Sequence, residues 1–288
     1  MKNNSMLSTG AIMIGLLIVS AIIGTKFVSD GEINRISTIL DDQSSISISE
    51  MWILFIAGTT DFMLLILAIT GVRFLLAVPL GFYASEKKGL PFLLVTSLHK
   101  FTKSVPIILI ALLVLSLPVL VFTENRYMWS IIFLALIGIG NVSYAMQEKG
   151  NELIHRKAAA KARSEGVVWG LLYMMRFVYP FSFFPIIINF FIDLGRVTVL
   201  LLQVGVLTYF IHLVYSPLKF GFGELLISKY DWVVLIGQTK TLVGVHPFLP
   251  LIPLIGFLLL YLTFIITAEG LSRLYEHRQN FQISEEVK

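Results

Sequence analysis

The sequence predicts an all-α protein, a polytopic transmembrane helical bundle of about six spans. Three observations point there. Of 288 residues, 56% are hydrophobic and only 14% are charged, against about 25% charged in an ordinary soluble domain. Mean hydropathy is +0.84. The apolar runs are continuous rather than alternating, which is the pattern of spanning helices and not of a membrane barrel. So little polar surface excludes a soluble enzyme, a nucleic-acid-binding module and a disordered chain. The chain has no cysteine, which removes disulfides, thiolate metal sites and thiol nucleophiles.

The elements follow in order. Residues 1–8 are short and polar. The apolar run from Thr9 to Val28 is long enough to cross about 30 Å of hydrocarbon, and no A-x-A-like cleavage site follows it, so it reads as a retained first helix. Residues 29–50 are acidic and rich in Ser and Ile, with Asp30, Glu32, Asp41, Asp42 and Glu50 against Arg35. Residues 51–84 are too long for one straight span. The first ten are expected at an interface, with Trp52 as anchor, and the second helix from Asp61 to Ala84. Ser85 to Gly89 is a polar turn. Leu90 to Lys103, with His99, Lys100 and Lys103, suits a helix along or entering the inner interface. The third span is expected over Pro106–Phe122 and the fourth over Met128–Met146.

Residues 147–176 are the most hydrophilic stretch and read as a helical inner loop. The fifth span runs from Phe177 to about Val204, with Asp193, Gly195 and Arg196 inside it. Residues 205–247 form an amphipathic, aromatic outer segment. The sixth span is Phe248–Thr267, followed by a tail from Ala268 to Lys288. The division is an N-terminal helix with its polar outer segment over 1–50, then a core over 51–288.

Charge sets the orientation. The expected inner segments hold 14 Lys and Arg and the outer ones 5. The excess of Lys and Arg marks the cytoplasmic side, so both termini are expected there and the number of crossings is even.

Four ionisable residues fall inside spans: Asp61, Arg73, Asp193 and Arg196. Such residues face a pathway or a partner because hydrocarbon does not solvate them. Asp193 and Arg196 are three apart and can pair on one helical face. A polar lining of a translocation route and a structural ion pair between helices are equally open readings, and Asn141 and Gln203 can join either network. The five histidines, 99, 155, 212, 246 and 277, lack ligand spacing, so no metal site is expected. There is no G-x-x-x-x-G-K-[ST] phosphate loop. The run from Lys157 to Glu165 favours helix strongly, has small residues on one side, and ends at Gly166 as a C-cap. It suits docking of a partner, while a solvated basic loop that only fixes topology remains the plainer reading.

Three stretches together resemble the permease subunits of bacterial binding-protein-dependent ABC importers, in particular the second permease of the dipeptide, oligopeptide and nickel group. Ala57-Gly58-Thr59 through Val78-Pro79-Leu80-Gly81-Phe82-Tyr83 is similar to that family's second-helix pattern. Ser143-Tyr144-Ala145, Gly150, the Ala-Lys-Ala run, Gly166 and Val178-Tyr179-Pro180 resemble its Tyr-Ala-Arg start and its cytoplasmic E-A-A…G…L-P motif. Ala268-Glu269-Gly270-Leu271-Ser272-Arg273-Leu274 looks like its closing Gly-Asp-Gly-Leu-Arg motif. The resemblance covers residues 57–278. It departs where the Glu of E-A-A falls near Ala160 or Lys161 and where Tyr179 replaces Leu.

The resemblance implies a type I importer permease fold and a chain that does no bond chemistry of its own. Residues 147–170 would be the coupling segment, with Glu152, Arg156, Lys157, Ala160, Lys161, Ala162, Arg163 and Gly166 gripping an ATPase. Implied partners are a second permease subunit, two ATPase subunits holding ATP and Mg, and an extracellular substrate-binding lipoprotein. The chain itself would bind no cofactor and no nucleic acid. The implied place is a bacterial plasma membrane, with membrane lipid around the bundle, and the implied cargo is peptides or another small solute. A non-transporting scaffold or sensor of the same fold, and an intramembrane enzyme using Asp61 or Asp193, are the competing expectations.

Overall fold

A computed structural model describes residues 3–41, 46–87, 89–123, 125–154, 179–217 and 223–286. Long apolar helices run through it: α1 (Asn3–Phe27), α3 (Ile48–Tyr83), α7 (Arg126–Ile154), α8 (Tyr179–Val206) and α10 (Leu251–Glu286). The amphipathic α2 (Asp30–Asp41) lies between the first two. After a 3-10 turn at Ala84–Glu86 come α4 (Gly89–Ser104), α5 (Ile107–Leu115) and α6 (Pro118–Val121). Strands β1 (Leu213–Pro217) and β2 (Gly223–Ile227) pair antiparallel, with Tyr215 opposite Leu225. The short α9 (Trp232–Thr239) follows them.

Among the described residues, five helices are long and apolar enough to cross a membrane, and six spans result if the bent pair α4–α5 counts as one. The chain is a multi-pass membrane protein built as a helical bundle. Its large apolar side chains are exposed along α1 and on outer faces of α3 and α10, for example Leu16, Leu75 and Leu258. In hydrocarbon such exposure carries no hydrophobic penalty.

Several boundaries differ from the sequence reading. Residues 48–83 form one unbroken helix of 36 residues, about 54 Å long at 1.5 Å per residue. The expected break near Asp61 is absent because a capping box starts the helix further upstream. The Glu50 backbone N–H donates to Ser47 Oγ at 3.2 Å, and the Ser47 N–H donates to Glu50 Oε2 at 2.9 Å. That pairing satisfies two donors that a helix start leaves open. The expected third span, 106–122, is broken instead. Leu117, ahead of Pro118, is extended at ψ 128°, as the residue before proline prefers. Pro106 is itself extended, at ψ 126°, directly before α5, and α4 meets α5 at 93°. The fifth span continues through Asp193–Arg196 as one helix, as expected, whereas α10 extends past Thr267 to Glu286. The acidic stretch before residue 50 is partly helical, and α2 buries Ile36 and Leu40.

Close contacts fix the antiparallel order. A Cβ on Gly10 would strike Thr267, one on Gly24 the Ile56 carbonyl, and one on Gly81 the Ser143 carbonyl. Gly150 lies against Ser85, and Phe184 stacks on Tyr275 at 5.9 Å. The start of α1, the 84–87 turn, the end of α7, the start of α8 and the last part of α10 therefore share one end of the bundle. α2, the hairpin and α9 lie at the other.

This arrangement predicts that Asn34→Cys and Glu152→Cys, each introduced singly into the cysteine-free chain, label from opposite sides of the membrane with an impermeant maleimide. Labelling of both from one side would contradict it.

Candidate functional site

Arg73 sits about two thirds of the way along α3 and Asp193 near the middle of α8, and their side chains are only 4% and 2% exposed. Arg73 Nη1 donates to both carboxylate oxygens of Asp193, at 2.9 and 2.8 Å. Nη2 donates to the Leu134 carbonyl at 2.8 Å and Nε to the Ala135 carbonyl at 3.2 Å. One guanidinium thus ties α3 to α8 and to α7. Space for it exists because residue 138 is glycine, where a Cβ would overlap the guanidinium. The expected pairing of Asp193 with Arg196 is not made. Arg196 lies a turn further along α8 on an exposed face, whereas Arg73 faces Asp193 across the bundle. The tertiary partner wins because it desolvates together with the carboxylate and is held by two further carbonyls.

The other expected path residues do not join this pair. Asn141 Oδ1 accepts from Thr102 Oγ1 at 3.0 Å and lies 3.1 Å from His99 Nδ1, so it serves the α4–α7 contact. Gln203 is exposed. Asp61 pairs with Lys229 of the segment before α9. The six residues are thus not gathered in one cluster: two form a buried ion pair, two hold neighbouring segments, and two lie at the surface. Of the expected coupling residues, Glu152 is exposed near the end of α7 and pairs with Lys149 at 3.0 Å. Arg156, Lys157, Ala160, Lys161, Ala162, Arg163 and Gly166 lie outside the described residues.

A second polar cluster stands at the opposite end of the bundle. Asp231 caps α9 and accepts from the Val234 N–H at 3.0 Å. Its side chain is fully buried, 3.5 Å from His212 Nε2. His212 stacks on Tyr127 at 4.5 Å. Below the cap, Trp232 stacks between Phe55 and Phe62 at 4.4 and 4.8 Å and donates from Nε1 to the Phe55 carbonyl at 2.9 Å. Gly58 permits this approach, since a Cβ there would meet the Tyr230 carbonyl. Burial pushes the Asp231 carboxyl up to about 7. Burial likewise pushes the His212 imidazole down to about 4. Each group resists its charged form because water is excluded from both. Asp231 could have been suspected from the sequence, where it stands directly before the apolar run Trp232–Ile236, an N-cap position. His212 carries no such local signal.

No family model matches the chain, and no curated protein matches it significantly.

Two predictions follow from these clusters. Arg73→Met or Asp193→Asn alone leaves a buried group unanswered and should destabilise the purified protein by about 3–5 kcal/mol. The double variant should lose less than the two single losses together, read by thermal unfolding in micelles. Additive losses would show that the pair does not act as a unit. The second concerns pH. In Asp231→Asn the remaining His212, whose pKa lies below its ordinary 6.5, contributes stability above that value. The contribution is lost as pH falls towards 4. In His212→Gln the remaining Asp231, raised from 3.8, contributes stability at low pH that is lost as pH rises through 7. The parent protein carries both slopes, and between about pH 4 and 6.5 they offset. Parallel melting profiles for all three proteins over pH 4–7 would refute the assignment.

Proposed function

We propose that the chain is the membrane-spanning permease subunit of an ATP-driven importer, moved by separate ATPase subunits and carrying peptides or another small solute. The observation that carries the reading is a convergence at one end of the bundle. The basic segment 155–178 leaves from Ile154 and returns at Tyr179, beside the 84–87 turn and the last part of α10. A motor docked on that segment would have direct purchase on α7 and α8. These two helices meet α3 at the Arg73–Asp193 pair, so a push at the basic end reaches the middle of the bundle through a charge-assisted contact. The resemblance over residues 57–278 supports the same reading, as does the order of six apolar segments.

In this account the ATP chemistry belongs to the partner subunits. The end that carries α2, the hairpin and α9 would face outwards and meet a substrate-binding protein. The side chosen follows the excess of Lys and Arg near the basic end.

The test is purification of the full chain from its native membrane. A P-loop ATPase and a second permease should copurify, and Ala162→Glu should lower ATP-dependent uptake at least tenfold at unchanged chain level. A chain that purifies alone, or an Ala162→Glu protein that transports normally, would overturn the reading.

A further inference from the structure

Between α9 and α10 the chain makes a 3-10 turn, Lys240–Leu242, and then a loop that ends at Pro250. Leu242 and Leu249 are buried in the main core. Between them Val243, Val245 and Phe248 are 50%, 73% and 68% exposed. The loop is thus pinned at both ends and turns apolar side chains outward. Its backbone makes little demand on water. The N–H groups of Val243, Val245, His246, Leu249 and Leu251 all donate to carbonyls between Lys240 and Phe248, and Pro247 and Pro250 carry no N–H. Thr241 Oγ1 donates to the Gln238 carbonyl at 2.7 Å, and Lys240 Nζ to the Val206 carbonyl at the end of α8. A loop in water can leave its donors to solvent, whereas a chain that enters an apolar medium has to answer its own.

Two independent markers put this loop at the boundary of the hydrocarbon. The first is length. From Leu251 to Ala268 α10 carries no charged residue, and Glu269 then pairs with Arg273 on an exposed side. About 20 helical residues cross ~30 Å of hydrocarbon, so the far boundary, counted back from Glu269, falls near Leu249. The second is an aromatic anchor. Gly256 lies against the Phe55 ring, and Phe257 meets Phe62 at 4.9 Å, which sets α10 in register with α3. Trp52, a turn before Phe55 and 44% exposed, therefore stands level with the start of α10. Exposed tryptophan collects where hydrocarbon meets headgroups. The loop also continues an apolar surface. Leu251, Leu254, Ile255 and Leu258 are exposed at helical spacing along α10, and Phe248 extends their row without a polar break.

We propose that the loop 243–248 is a lipid-docking wedge, with Val243, Val245 and Phe248 seated among the acyl chains just below the headgroups of the leaflet at the end that carries α2 and α9. Apolar side chains at that depth bind a membrane by the area they take from water. The loop follows directly from α9, so its seat in lipid holds α9 at the depth where Trp232 packs. It also closes this side of the bundle to a soluble partner, which is left with α2 and the hairpin. The inference rests neither on the permease reading nor on which end of the bundle faces outwards.

The test uses the full cysteine-free chain, diluted in phosphatidylcholine vesicles, with one nitroxide label at a time on Val245→Cys, Phe248→Cys, Leu258→Cys, Asn34→Cys or Glu276→Cys. Power saturation reads collisions with oxygen, which concentrates in lipid, and with nickel ethylenediaminediacetate, which stays in water. The ratio of oxygen to nickel collisions at 245 and 248 should lie severalfold above the ratio at 34 and 276. It should not exceed the ratio at 258, which marks the interior of the hydrocarbon. A ratio at 245 and 248 equal to that at 34 and 276 places the loop in water and overturns the proposal. Few collisions with either reagent mean that protein covers the loop, a second copy of the chain included, and overturn it as well. None of these readouts needs an ATPase, so they stand or fall separately from copurification.

Discussion

A guanidinium in the middle of an apolar bundle has to be answered by the protein itself, because no water is there to solvate it. Arg73 is answered by the Asp193 carboxylate and by two carbonyls of α7. The partners come from two distant helices, 61 to 120 residues away. The pair therefore acts as a registration point: α3, α7 and α8 can slide or rotate only by exposing a charge to hydrocarbon. Gly138 belongs to the same constraint, since any larger residue would displace the guanidinium. Buried ion pairs add little net stability against an apolar replacement, but they disfavour wrong arrangements strongly. In a membrane, where helices have no hydrophobic reason to prefer one neighbour over another, that discrimination is worth more than the stability.

The rest of the packing is organised around close backbone approach and aromatic stacking. Glycines at 10, 24, 58, 81 and 150 each sit where a Cβ would meet another segment. At one end, the loop after the hairpin turns inward as α9, and Trp232 is clasped by Phe55, Phe62 and Phe257. The result is a plug with a buried carboxyl at its cap and a buried imidazole beside it. The same end buries the Arg126 guanidinium, which donates from Nη2 to the Phe210 carbonyl at 3.2 Å. At the other end α7 stops at Ile154 and α8 starts at Tyr179. The central ion pair lies between them.

The bent helix pair α4–α5 stands apart from this scheme. It lies on α7 but buries little, and Lys100 and Lys103 on its exposed side have no ion-pair partner among the described residues.

Much was legible in the sequence: the helical membrane class, the main apolar segments, and the presence of isolated charges inside them. Composition and run length decide these, because hydrocarbon admits only backbones that satisfy their own hydrogen bonds. The Ser47–Glu50 capping box and the prolines at 106 and 118 were local signals too, but apolar run length outweighed them, so a helix start near Asp61 and an unbroken span over 106–122 were expected instead. Partner choice was not legible. Helical spacing offered Asp193 a partner three residues away, and the tertiary structure gave it Arg73 instead. The reason is that burial and hydrogen bonding depend on which faces meet, and a single sequence lists its faces without saying what each will touch. The same holds for His212 and Asp231, which lie far from catalytic-looking motifs and become a pair only when α9 folds inward. What the residues determined alone was the medium and the elements; which charges answer one another was decided only by packing, where desolvation makes one partner acceptable and its neighbour not.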